Sequence, residues 1–157
     1  MLIYLHGFNS SPASHKAQVL KTYMAGRGLG NLYACPALPD PPAEAVRAIA
    51  RTIAGRALPP VTFLGSSLGG YYATWMAERL GCRAVLLNPA TAPLKDLEQY
   101  VGVSTAYHSD QPFEFKRDYI EELRALALPR ISRPERYFLI GATGDEVLDY
   151  RDMVAHY

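Results

Sequence analysis

The chain has 157 residues, 49% hydrophobic and 20% charged, which fits one globular domain of residues 1–157 and excludes a disordered chain. Its 16 basic and 15 acidic side chains are scattered and sum to a formal net charge of +1, so there is no electrostatic footprint for nucleic acid or an acidic membrane surface. Two cysteines, Cys35 and Cys82, with no C-x-x-C pair, suit a reducing cytoplasm.

The first apolar run, Leu2 to Leu5, reads as a buried strand that stops at His6-Gly7. It is too short for a signal peptide, and no stretch approaches the roughly 20 apolar residues of a membrane span. Ser11 reads as an N-cap and Pro12 as the first residue of a helix. That helix would carry Ala13, Ala17, Leu20 and Met24 on its apolar face and end at Gly26 or Gly28. Leu32 to Cys35 is a second short strand. Asp40-Pro41-Pro42 opens a helix whose face holds Val46, Ile49, Ala50 and Ile53. Val61 to Leu64 is the third strand, followed by a glycine-rich turn and a helix ending near Gly81. Ala84 to Leu87 and Tyr137 to Ile140 are the fourth and fifth strands.

Apolar strands alternating with helices predict a parallel sheet covered on both faces, an α/β fold. From about 93 to 133 the rhythm breaks into polar and aromatic sequence, with Asp118 expected to cap a helix through Ile120, Leu123 and Leu126. This segment is either a lid over a substrate or an ordinary crossover helix with a long loop.

Gly65-Ser66-Ser67-Leu68-Gly69 fits G-x-S-x-G between a strand and a helix, the context of a nucleophile elbow. Such an elbow holds a serine in a sharp turn, so small residues are needed where backbones crowd. Ser67 is the expected nucleophile; Ser66 occupies the variable position of the motif. The helix after Ser67 turns its N-terminal dipole toward a developing oxyanion. The amides of Phe8, after the first strand, and Leu68, after the nucleophile, are the oxyanion-hole candidates. His6 is expected to bond nearby backbone rather than to act in catalysis. Gly141-Ala142-Thr143-Gly144-Asp145 follows the fifth strand, where a triad acid belongs. Asp145 is the candidate, against the alternative of an Asx turn after glycine. Asp149 is the runner-up and is expected to enter the next helix.

Four blocks make a more specific pattern. Tyr4 to Pro12 (YLHGFNSSP) and Leu64 to Trp75 (LGSSLGGYYATW), joined by Asn88-Pro89-Ala90 and Thr143 to Arg151 (TGDEVLDYR), resemble the small bacterial YqiA-type esterases. The resemblance runs from the first strand almost to the last residue. It implies a small α/β-hydrolase domain that cleaves carboxylic esters, and acyl-CoA thioesters as a further substrate class, with Ser67 and Asp145 in the triad. Family members continue into another strand and a Gly-Gly-Asn-His type loop that supplies the catalytic histidine. This sequence stops at Ala155-His156-Tyr157, so the expectation is a chain cut short, with the last strand and helix missing and Tyr137 to Ile140 at a sheet edge. Among His6, His15, His108 and His156 none fits the general-base role, and His156 is expected on a surface helix.

The expected reaction passes through an acyl-Ser67 intermediate on a small-molecule ester or thioester, without a metal or organic cofactor. The alternatives are a hydrolase-like binding module without turnover, which lacks the base, and an acyltransferase on the same scaffold. Tyr100, Tyr107, Phe113, Phe115 and Tyr119 either line an acyl pocket or pack in the core or on the surface.

Overall fold

The structure is a computed structural model that describes residues 1–54, 60–98, 101–105 and 112–157. Five parallel strands form one sheet: β1 (Leu2–Leu5), β2 (Tyr33–Ala34), β3 (Thr62–Ser67), β4 (Arg83–Pro89) and, further along the chain, β7 (Tyr137–Ile140), in the order β2-β1-β3-β4-β7. β5 (Gly102–Thr105) and β6 (Pro112–Phe115) form a separate antiparallel hairpin. The helices are α1 (His15–Gly26), α2 (Pro42–Ile53), α3 (Leu68–Leu80), α4 (Pro93–Glu98), α5 (Arg117–Ala125) and α6 (Tyr150–His156).

The strand order sets the position of the site. The chain leaves β1 for β2 on one side, then crosses back to β3 on the other side of β1. Open α/β sheets bind ligands at such a switch point, in the crevice beyond the carboxyl ends of the strands. Here that crevice lies between the end of β1, His6-Gly7-Phe8, and the end of β3, Ser67. The strands are short and apolar because both faces are covered, and Ile3, Leu5, Phe63 and Leu86 have no exposed surface.

Several local expectations are corrected. The first helix starts at His15 with Ser14 at its N-cap, not at Pro12. Ser11 instead closes a turn, its hydroxyl oxygen accepting from Ala13 N and its carbonyl from Ser14 N. Serine favours both caps and such turns, so its presence alone does not fix the first helical residue. The helix ends as expected around Gly28, whose φ of 71° lets Leu29 N reach Met24 O at 2.8 Å and Gly28 N reach Ala25 O at 2.9 Å, a Schellman closure. α2 opens at Pro42 after an N-cap at Pro41, within the expected Asp40-Pro41-Pro42, but Ala50 is exposed rather than on its buried face. Asp118 lies in the first turn of α5, whose N-cap is Lys116. There the carboxylate still complements the helix dipole.

Within residues 93–133, α5 is part of the main core. Ile120 and Leu123 are buried, the Tyr71 hydroxyl of α3 donates to Leu123 O at 2.9 Å, and Glu122 accepts from Ala43 N at the start of α2. β7 stands at the sheet edge among the described residues, and it exposes Phe138 and Ile140.

Candidate active site

Ser67 sits where β3 becomes α3, with φ 54° and ψ −124°. A positive φ is uncommon for any residue with a side chain, and strained backbone of this kind gathers at functional sites. The turn is held by crowding on every side. A methyl group at Gly69 would lie 2.5 Å from the His6 carbonyl oxygen and closer still to that of Leu5. One at Gly65 would lie 2.6 Å from the Gly69 carbonyl carbon. The two motif glycines are therefore required by contact between β1, β3 and the first turn of α3. Gly7 faces the serine directly: a Cβ there would stand 3.2 Å from Ser67 Cβ and 3.6 Å from Ser67 Oγ.

The end of β1 and the start of α3 share one small cleft, lined by Gly7, Phe8 and Asn9 on one side and Leu68 and Tyr72 on the other. The amide of Leu68 belongs to the first helical residue, which has no acceptor within its own helix. The Phe8 ring packs edge-on against Phe115, with centroids 5.2 Å apart, and so anchors the loop after β1 to the hairpin. His6 is 3% exposed and engaged at both ring nitrogens: Nδ1 lies 3.0 Å from Gly7 O, and Nε2 lies 3.2 Å from Leu38 N. An amide N–H can only donate, so Nε2 is the acceptor and Nδ1 carries the proton. Burial pulls its pKa below the ordinary 6.5, which keeps the ring neutral.

Asp145 lies in the loop after β7 and is held by three donors. Its Oδ1 accepts from Val147 N and Leu148 N, both at 2.9 Å, which is the Asx turn weighed as an alternative. Its Oδ2 accepts from Asn88 Nδ2. The Leu148 amide leads, and with Val147, Asn88 and the nearby Lys16 charge it outweighs partial burial, so the carboxyl pKa falls below 3.8. Asp149 has a separate duty as the N-cap of α6, accepting from Arg151 N at 2.8 Å.

Asn88, part of the Asn88-Pro89-Ala90 block, has a place that its motif does not reveal. Opposite β3, Ser66 pairs with Leu87 and Ser67 with Pro89, so Asn88 is the extra residue of a bulge and has φ 42°. Asparagine tolerates that region better than most residues, and an Asn at the end of an apolar strand is the sequence signal for it. The bulge brings Ala90 N to Ser67 O at 3.1 Å.

His156 departs from the expected surface position. It is half-buried at the end of α6, beside Tyr157, in a cleft shared with Tyr71, Thr74 and Thr91. His108, Tyr100 and Tyr107 lie outside the described residues, as does the side chain of Phe113. Phe115, at 1% exposure, is core packing, and Tyr119 packs partly buried against it.

The sequence model of the uncharacterised protein family UPF0227 matches residues 1–157. Three solved structures share the fold. Mouse alpha/beta hydrolase domain-containing protein 10 is similar at 16% identity with a TM-score of 0.72, over 98% of this chain and 72% of that one. Est1E from Butyrivibrio proteoclasticus is similar at 14% identity with a TM-score of 0.64, over 99% of this chain and 72% of its own. A structure described under LipS and LipT, two metagenome-derived lipolytic enzymes, has 17% identity and a TM-score of 0.72, over 99% of this chain and 78% of that chain. At these identities the likeness is one of fold: the chain is an α/β-hydrolase fold, with a parallel sheet flanked by helices.

Proposed function

We propose that this chain, which belongs to the UPF0227 family, is a serine hydrolase that cleaves small carboxylic esters or thioesters through an acyl-Ser67 intermediate. The observation that carries this reading is the backbone of Ser67, at φ 54° and ψ −124°, on the strand-to-helix junction beside the sheet's switch point. In this reading Ser67 Oγ attacks the acyl carbon and its proton passes to a general base, which the family resemblance makes an imidazole whose other N–H is held by Asp145; none of His6, His15, His108 and His156 is assigned to that role. The amides of Phe8 and Leu68 hold the tetrahedral oxyanion. Collapse releases the alcohol or thiol with that proton, and water then repeats the sequence to free the acid. His6 does not supply the imidazole, because both its nitrogens are bonded to backbone. The esterase and lipolytic descriptions of the structural neighbours agree with the reading at the level of fold.

The chemistry asks for no metal or organic cofactor. The balanced charge fits work on small-molecule substrates in the cytoplasm, and no described helix is long and apolar enough to cross a membrane. The test is hydrolysis of p-nitrophenyl acetate and of an acetyl thioester by the chain and by Ser67→Ala. The expected loss in Ser67→Ala is at least about 10³-fold in kcat. Ligand binding without turnover, unchanged in Ser67→Ala, would replace this reading with that of a binding module.

A further inference from the structure

The Asn88 amide makes two hydrogen bonds that fix its orientation. Its Oδ1 accepts from Ala142 N at 2.8 Å, and its Nδ2 donates to Asp145 Oδ2. An ionised carboxylate only accepts and a backbone amide only donates, so the side chain must present its NH₂ to Asp145 and its oxygen to Ala142. No other residue of this size offers a donor and an acceptor side by side. The bulge that ejects Asn88 from the β3–β4 ladder also carries the bond from Ala90 N to Ser67 O. The end of β4 thus reaches both sides: Ala90 bonds the backbone of Ser67, and Asn88 bonds the loop that carries Asp145.

The lone pairs of Asp145 show what this joint does. Oδ1 is filled by the amides of Val147 and Leu148, within its own turn. Oδ2 has two acceptor directions, and Asn88 takes one of them. One direction therefore remains for an incoming imidazole N–H, and the Asn88 amide decides where it points. We propose that Asn88 is the positioning residue for Asp145: it sets the rotation of the carboxylate and presents one Oδ2 lone pair to the catalytic imidazole. This rests on the reading of Asp145 as the triad acid. The other charged groups around Asp145 are Lys16 from α1, and Glu146, Asp149 and Arg151 from its own loop and α6.

Two substitutions separate positioning from scaffolding. Asn88→Gly removes both bonds and accepts φ 42° without strain. Asn88→Asp keeps the size, tolerates the same backbone and can still accept from Ala142 N, but sets an acceptor against Oδ2. Each variant is assayed with p-nitrophenyl acetate, and the Asp145 carboxyl carbon is titrated by NMR. Positioning predicts that kcat falls about 10²-fold in both, with KM little changed, and that Asn88→Asp is no better than Asn88→Gly. It also predicts that the Asp145 titration moves upward in both. Near-normal kcat and an unmoved Asp145 titration in Asn88→Asp would overturn the proposal and leave a loop tether. If the unmodified chain hydrolyses nothing, the functional reading fails separately. The NMR titration then still decides whether Asn88 governs the carboxylate.

Discussion

Among single residues, His6 and Gly69 fix the end of β1 against its neighbours. The neutral ring of His6 bonds Gly7 and Leu38, so it ties the end of β1 to the segment before α2. Protonation would turn Nε2 into a donor facing the Leu38 amide. Because burial holds its pKa below 6.5 in the folded chain, the unfolded chain takes up the proton first. Stability is therefore full above pH 6.5 and falls as pH drops from there toward the depressed value. His156, also lowered by burial, adds a contribution of the same sign. Denaturant midpoints across pH 4 to 8 should show a shallower acid limb for His6→Gln than for the unmodified chain. Asp145 acts in a lower window: its depressed carboxyl contributes stability above the ordinary 3.8, which is lost as pH falls through the folded value. At Gly69 the neighbour of a new Cβ is backbone, which cannot move aside. Gly69→Ala should cost about 3 kcal/mol or more by chemical denaturation, or prevent folding.

Among the elements, α5 decides how residues 93–133 belong to the molecule. Leu123 has no exposed surface, and its carbonyl holds the Tyr71 hydroxyl. Leu123→Ala should cost about 2–5 kcal/mol. The loss should appear in a single cooperative transition, followed by circular dichroism and fluorescence together. The sequence made the parallel sheet legible because apolar strands and helices alternate with clear glycine stops. It made the sharp turn around Ser67 legible because Gly65 and Gly69 are packing requirements as well as part of a motif. It did not make the two short strands legible, since β5 and β6 are four residues each and, among the described residues, pair only with one another. The start of α1 was not legible, because Ser11 and Pro12 suit a turn as well as a cap. The position of Asn88 within its quoted block was not legible, because a bulge is a relation between two strands and no single-strand pattern displays it.

At the scale of the molecule, β7 lies at the sheet edge among the described residues and leaves Phe138 63% and Ile140 45% exposed. An apolar strand edge is a template for pairing with another chain. Phe138→Lys should lower concentration-dependent light scattering while changing stability by less than about 0.5 kcal/mol, as expected for a surface change. At the opposite side of β4, the crevice between β1 and β3 gathers Gly7, Phe8, Ser67 and Leu68, and the Asn88 bulge links it to Asp145. Whether Ser67 is an activated nucleophile is decided by intact-mass measurement and peptide mapping after exposure to a fluorophosphonate. One adduct is expected, on the peptide containing Ser67, retained in Ser66→Ala and absent in Ser67→Ala. An adduct of equal yield in Ser67→Ala, or none in the unmodified chain, would contradict it.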